Sequence, residues 1–254
     1  MAEAPIIIGP LALRAFALAL GVALAGAVAL ASYYLSRWAT PGAVFDAFLG
    51  GLIGGALGGR LAHVVFAWDY FSLHPEAIPR LSEGGLEWHG ALAGALIGLA
   101  IVSRWRRLPW GPLLNVLAPI LPLIALGAWY GCWAASCGYG AEVDTLARYP
   151  AYAVSESPDV YGIIAPRYDT QRFGMLLSLA CLLIAAAPLR VRALAGARFW
   201  IVLALFSTGM FAIGFFRGDA SPVIGSLRGD QWLDLITIGL CLLALARRRS
   251  SVSQ

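Results

Sequence analysis

Lysine is missing from this chain: all 18 of its basic residues are arginine. Charge of either sign is scarce, at 13% of the 254 residues, where ordinary soluble domains carry roughly 25%. That shortage removes the chain from the soluble globular class. The 60% hydrophobic content and mean hydropathy of +0.76 exclude intrinsic disorder as well. Cysteine is also sparse, with four in all, so a disulfide-dense scaffold is excluded. None of the four stands in a CxxC pair or a Cys/His spacing, so no metal site and no cofactor are expected. There is no P-loop, no GxSxG and no transporter-like internal repeat.

What is present is apolar sequence in long runs. A bilayer core of about 30 Å needs roughly 20 apolar residues in a helix. Seven stretches qualify: 11–35, 43–68, 87–103, 112–135, 171–188, 199–216 and 231–246. They cover the whole chain, so residues 1–254 are expected to form one transmembrane domain, an all-α bundle of seven spans. The first run is too long for a signal-peptide core, and Met1–Pro10 holds Glu3 but no arginine. It is therefore expected to stay in the mature protein. Seven tryptophans (Trp38, Trp68, Trp88, Trp105, Trp110, Trp200 and Trp232) flank spans, where an amphipathic ring prefers the interface, whereas Trp129 sits inside one.

The net charge of +4 would suit nucleic acid only on a soluble basic face, so no nucleic-acid partner is expected and membrane lipids are the better reading. The arginines instead set orientation. Ten follow spans 1, 3 and 5 or lie in the tail: Arg37, Arg104, Arg106, Arg107, Arg190, Arg192, Arg198, Arg247, Arg248 and Arg249. Five lie on the opposite side (Arg80, Arg148, Arg167, Arg217 and Arg228), together with most of the acids. The N-terminus is predicted outside and the C-terminus in the cytoplasm.

Several features exceed a generic bundle. Gly50, Gly54 and Gly58 recur every four residues, as do Gly90, Gly94 and Gly98, which predicts close packing of spans 2 and 3. Arg60 and His63 lie within span 2; an ionisable group there faces a cavity or anionic partner unless it snorkels to the interface. Gly84 and Gly85 precede a helix start, where free backbone N–H groups suit an anion. His89, one turn further, stands where a general base is useful, although a lone histidine in a helix is more often structural. Arg217 ends span 6, where a guanidinium clamps phosphate or else anchors at the interface, paired with Asp219. A disulfide between Cys132 and Cys137 requires the helix to break near Ser136. The outer loop of about 138–170 is either a solvated connector or a lid or docking element.

Taken in order, these pieces resemble the prolipoprotein diacylglyceryl transferase family over nearly the full length. Gly9-Pro10-Leu11-Ala12-Leu13-Arg14-Ala15-Phe16 is similar to its opening motif. Gly58-Gly59-Arg60-Leu61, with Asp69-Tyr70-Phe71 through His74-Pro75, resembles its second-span pattern. Gly84-Gly85-Leu86-Glu87-Trp88-His89-Gly90 resembles its most specific signature. Phe215-Phe216-Arg217 and Gln231-Trp232-Leu233 resemble its late elements. The resemblance implies transfer of the diacylglyceryl group of phosphatidylglycerol to the lipobox cysteine of a preprolipoprotein signal peptide. The reaction would take place at the outer leaflet of a bacterial plasma (inner) membrane, with glycerol phosphate leaving. It assigns His89 and Arg217 to catalysis, and Arg60, Gly84, Gly85, Gly90 and Gln171 to substrate binding; Arg172 is extra to the family pattern and is added to the substrate-binding set as the cation that would replace the missing arginine if it faces the same cavity. Trp129, Cys132 and Cys137 depart from the central motif, standing where arginine, asparagine and glutamate are expected. The alternative is a catalytically silent relative that binds phospholipid or serves a membrane complex. Convergence of Arg60, His89, Arg172 and Arg217 on one outward cavity is the geometric expectation that separates the two.

Overall fold

A computed structural model describes residues 6–8, 11–36, 38–81, 84–186 and 197–252. Glu3, Gly9, Pro10, Arg37, Arg190 and Arg192, which entered the reading above, lie outside the described residues. The chain is mostly helical, with α1 (Ala15–Leu35), α2 (Pro41–Phe66), a single turn α3 (Trp68–Phe71), α4 (Trp88–Arg106) and α5 (Trp110–Ala135). After a long connection come α6 (Thr170–Ala186), α7 (Arg198–Gly214) and α8 (Gly229–Val252). A helix lies on each of the seven apolar runs. Four of them, α1, α2, α5 and α8, are long and apolar enough to cross a membrane, and α6 and α7 are shorter apolar helices of the same kind.

The first run begins differently from expectation. Leu11–Leu13 is strand β2, paired antiparallel with β1 (Ile6–Ile8), and helix starts only after Arg14, whose backbone is extended. Hydropathy does not distinguish a short apolar strand from the first turn of an apolar helix, so the run looked continuous. The connection after α5 is also more than a solvated loop. Strands β3 (Val154–Pro158) and β4 (Ile164–Tyr168) form an antiparallel hairpin, with Val154 opposite Tyr168. Hairpin β5 (Val223–Ile224) with β6 (Leu227–Arg228) turns at Gly225, where φ is +64°.

Two apolar cores hold the helices. One joins α5, α6, α7 and α8 through Ala118, Trp129, Cys181, Phe199, Phe206 and Cys241. The other joins α1, α2, α4 and α5 through Ala27, Ala31, Val44, Leu99 and Val116. Large apolar side chains such as Leu61, Ile97, Leu183 and Leu240 point outward instead, as expected of helices whose solvent is lipid. The glycine faces of α2 and α4 meet in antiparallel register. A Cβ at Gly50 would lie 3.1 Å from the Gly98 carbonyl oxygen; one at Gly54 or Gly58 would strike that of Gly94 or Gly90.

Candidate functional site

The start of α8 gathers the chemistry. Asp230 and Asp234 lie one turn apart on this helix, with Gln231 between them, and all three are buried. Gln231 fixes the local backbone: its Oε1 accepts from Arg228 N at 3.0 Å, and its Nε2 donates to the Phe211 carbonyl of α7 at 3.0 Å. A side chain on Gly214 would collide with Gln231, so the end of α7 approaches α8 closely.

Arg217, just beyond α7, faces this helix end. Its Nε donates to Asp219 Oδ1 at 2.8 Å, its Nη2 to Asp219 Oδ2, and its Nη1 to Asp230 Oδ2 at 3.1 Å. Arg228 bridges the same carboxylates, donating through Nε to Asp230 Oδ1 at 3.0 Å and through Nη1 to the Asp219 carbonyl at 2.8 Å. Burial by itself would lower the Arg217 pKa. The Asp219 hydrogen bond and the charges of Asp219 and Asp230 outweigh it and leave the pKa raised. The guanidinium is permanently cationic and its forks are filled by carboxylates, a bidentate geometry that phosphate oxygens also satisfy.

His89 lies on the first turn of α4, buried against Trp88. Its Nδ1 is 2.6 Å from Glu87 Oε1, and its Nε2 is 3.1 Å from Asp234 Oδ1. Both ring nitrogens therefore face carboxylates. Glu87 has a second task as the N-cap of α4, accepting from Gly90 N at 2.8 Å through Oε2. An anion is thus already built into the helix start that Gly84 and Gly85 were expected to open. Asp234 joins His89 to α8, one turn from the carboxylate that holds Arg217. The structure brings these two sequence-assigned residues onto one helix face.

The other assigned residues have different surroundings. Arg60 is buried, but carbonyls surround it: Nε donates to Ile78 at 2.8 Å, Nη2 to Ala77 at 2.6 Å and Nη1 to Gly84 at 2.6 Å. It neither snorkels nor lies open; it ties the connection after α3 to the end of α2, beside a cavity of about 340 Å³ lined also by His63, Tyr70, Phe71 and Gly85. Gly84 and Gly85 have positive φ, +87° and +78°, which turns their carbonyls toward this guanidinium. Gly90 abuts the Gly58 carbonyl across the α2–α4 contact. Gln171 is buried and donates to the Cys137 carbonyl at 3.1 Å, while Thr170 donates to that of Gly138 at 2.7 Å. Arg172 stands exposed on α6, paired with Asp169 Oδ2 at 2.9 Å and donating to the Tyr152 carbonyl at 3.4 Å. It does not join Arg217 and His89.

Trp129 is buried at the crossing of α5 with α6, where Gly174 leaves room for its ring. The helix is capped seven residues later at Ser136, which adopts a left-handed φ of +58°, and Cys132 and Cys137 are disulfide-bonded across that break. Beyond it, Arg167 of β4 is buried over the Tyr139 ring, 5.1 Å from the centroid, and paired with Glu142 at 2.7 Å and Asp159 at 3.3 Å. Burial, with Asp159 and Asp219 nearby, raises the Tyr139 pKa. Among the described residues no cluster of side chains fits a metal ion.

Sequence reading missed Glu87, Arg228, Asp230 and Asp234 as partners. Asp234 carried a signal, being the only acid in the run 231–246, since an intramembrane carboxylate is functional by default. Nothing in the sequence announced the Glu87–His89–Asp234 contact, because His89 and Asp234 are 145 residues apart.

A family model for prolipoprotein diacylglyceryl transferase matches residues 4–247. The chain belongs to this family. A phosphatidylglycerol–prolipoprotein diacylglyceryl transferase of Symbiobacterium thermophilum is 32% identical over 257 residues, covering 97% of this chain and 93% of the relative. One of the same name from Nostoc sp. is 28% identical over 94% of this chain and 86% of the relative. Another from Dehalococcoides mccartyi is 35% identical over 74% of this chain and 68% of the relative. Diacylglyceryl transferase membership therefore spans both cores and every residue of the site just described.

Proposed function

We propose that this diacylglyceryl transferase family member moves the diacylglyceryl group of phosphatidylglycerol onto the lipobox cysteine of a preprolipoprotein. It would do so as a single seven-span domain of the bacterial plasma membrane, N-terminus outside, with its site toward the outer leaflet. The observation that carries this reading is the tie of His89 and Arg217 to successive turns of α8 through Asp234 and Asp230. The reaction breaks a glyceryl C–O bond to phosphate and forms a C–S bond, and glycerol phosphate departs with the bonding pair. The thiol proton passes to the Glu87–His89–Asp234 group, since only the thiolate attacks carbon. Arg217 exchanges its carboxylate partners for the departing phosphate. In this reading Arg60, Gly84, Gly85 and Gly90 frame the site, Gln171 pins the turn after α5, and Arg172 lies at its outer margin.

One observation favours the silent reading instead: Trp129 is sealed in the core and Arg172 is turned away, so neither supplies the cation that the central motif lacks. A single assay decides. Purified protein with phosphatidylglycerol and a lipobox peptide is expected to release glycerol phosphate, and His89→Ala and Arg217→Ala to abolish release while still inserting in the membrane. No release by the unmodified chain, together with failure to complement a cell depleted of its own transferase, leaves the silent reading standing.

A further inference from the structure

The end of the bundle remote from His89 has the opposite electrostatic character. At the site end six arginines are satisfied, Arg60 by carbonyls and Arg148, Arg167, Arg172, Arg217 and Arg228 by carboxylates, while Arg14, exposed before α1, has no side-chain partner among the described residues. At the far end the only described acid is Asp46 of α2, and Arg106 already holds it, with Nε 2.6 Å from Oδ2. Arg104 and Arg107 stand beside that pair, and among the described residues neither has a hydrogen-bond or ion-pair partner.

Both arginines line one open cavity of about 390 Å³ with Ala100, Ser103, Leu108 and Trp110. The cavity is shaped by a fixed turn. Arg107 ends α4 in a left-handed conformation, φ +55°, and Ser103 Oγ donates to the Leu108 carbonyl at 2.8 Å across the turn. That turn sets the two guanidinium-bearing residues on one recess and brings in Trp110 at the start of α5. The α5 N-terminus has no side-chain cap, which adds partial positive charge to the same recess. Unpaired guanidinium groups beside an indole at a helix end match a phosphodiester on one side and the acyl–headgroup boundary on the other.

We infer that this cavity binds the phosphate-bearing headgroup of an anionic phospholipid, at the end of the bundle away from the transfer site. The lipid is held there and not consumed, because the Ser103 hydroxyl is engaged with the Leu108 carbonyl and no carboxylate, histidine or cysteine lines the recess. The inference does not depend on the proposed reaction. A silent relative would carry the same site.

Native mass spectrometry of the full chain in neutral detergent tests it. Phosphatidylglycerol, phosphatidylcholine and inorganic phosphate are supplied separately, and the unmodified protein is compared with Arg104→Gln/Arg107→Gln. Retention of phosphatidylglycerol is expected to fall roughly thirtyfold in the double variant at one site. Phosphatidylcholine retention is expected to stay unchanged, and an unchanged melting temperature in detergent shows that the variant is folded. If the double variant does not fold, the single variants Arg104→Gln and Arg107→Gln must each give an intermediate loss. Equal phosphatidylglycerol retention by both proteins overturns the inference. So does an equal fall for phosphatidylcholine, which would make the effect apolar, or binding of inorganic phosphate with no lipid retained.

Discussion

His89 shows how far a residue's role depends on what faces it. A neutral imidazole between water and a helix turn would be a simple base; between Glu87 and Asp234 it belongs to a three-group proton store. Asp234→Asn keeps the shape and one hydrogen bond but removes a charge from that store. It is expected to lower kcat for lipidation at least about tenfold while leaving KM and thermal stability close to the original. A matching fall in stability would reduce Asp234 to a packing role. Arg60 is the contrasting residue. Its guanidinium serves carbonyls at 77, 78, 84 and 85, so Arg60→Ala leaves buried acceptors unpaired. The expected cost is about 3 kcal/mol, read as a lower melting temperature in detergent. Both residues were singled out by type and position, since ionisable groups inside apolar runs are conspicuous. Their partners were not, because hydrogen-bond geometry across helices leaves no trace in local sequence.

At the scale of elements, the glycine ladders were legible in full: a four-residue period on two runs specifies two smooth faces, and α2 and α4 use them against each other. Gly94→Leu would drive a side chain into the Gly54 carbonyl and is expected to destabilise the bundle by about 3 kcal/mol. Gly239 of α8 has open space around it; Gly239→Ala is expected to be neutral or to stabilise by up to about 1 kcal/mol. Paired thermal melts of the two variants check the contrast. The hairpins were not legible. Apolar triplets at 6–8 and 11–13 and short strands at 154–158 and 164–168 carry too few residues for a period-two pattern to stand out. The break in α5 was visible only as a possibility. It became definite because Ser136 takes the left-handed turn that lets Cys132 and Cys137 meet.

For the molecule as a whole, the arginine distribution carries the orientation. Ten arginines on one side and five on the other, with most acids beside the five, are the basis on which a cytoplasmic C-terminus is proposed, by the charge bias of short loops. A reporter fused after Gln254 is expected to be active only if it requires the cytoplasm, and activity of an export-dependent reporter there would reverse the topology. The structure adds that the two ends differ in pairing as well as in number. Carboxylates and carbonyls occupy Arg60, Arg217 and Arg228 at the site end, whereas Arg104 and Arg107 are left open.

The sequence by itself determined the apolar character, the number and place of the apolar helices and the glycine contact, and it singled out His89 and Arg217 as candidates. Each of these follows from composition, period or residue type, which are local quantities. Tertiary structure decided which groups meet: Asp234 with His89, Asp230 with Arg217, Arg60 with a ring of carbonyls, Trp129 with Gly174, and Arg172 with the exterior. Those outcomes depend on how α4, α7 and α8 are rotated and brought together, and packing between distant segments fixes that rotation.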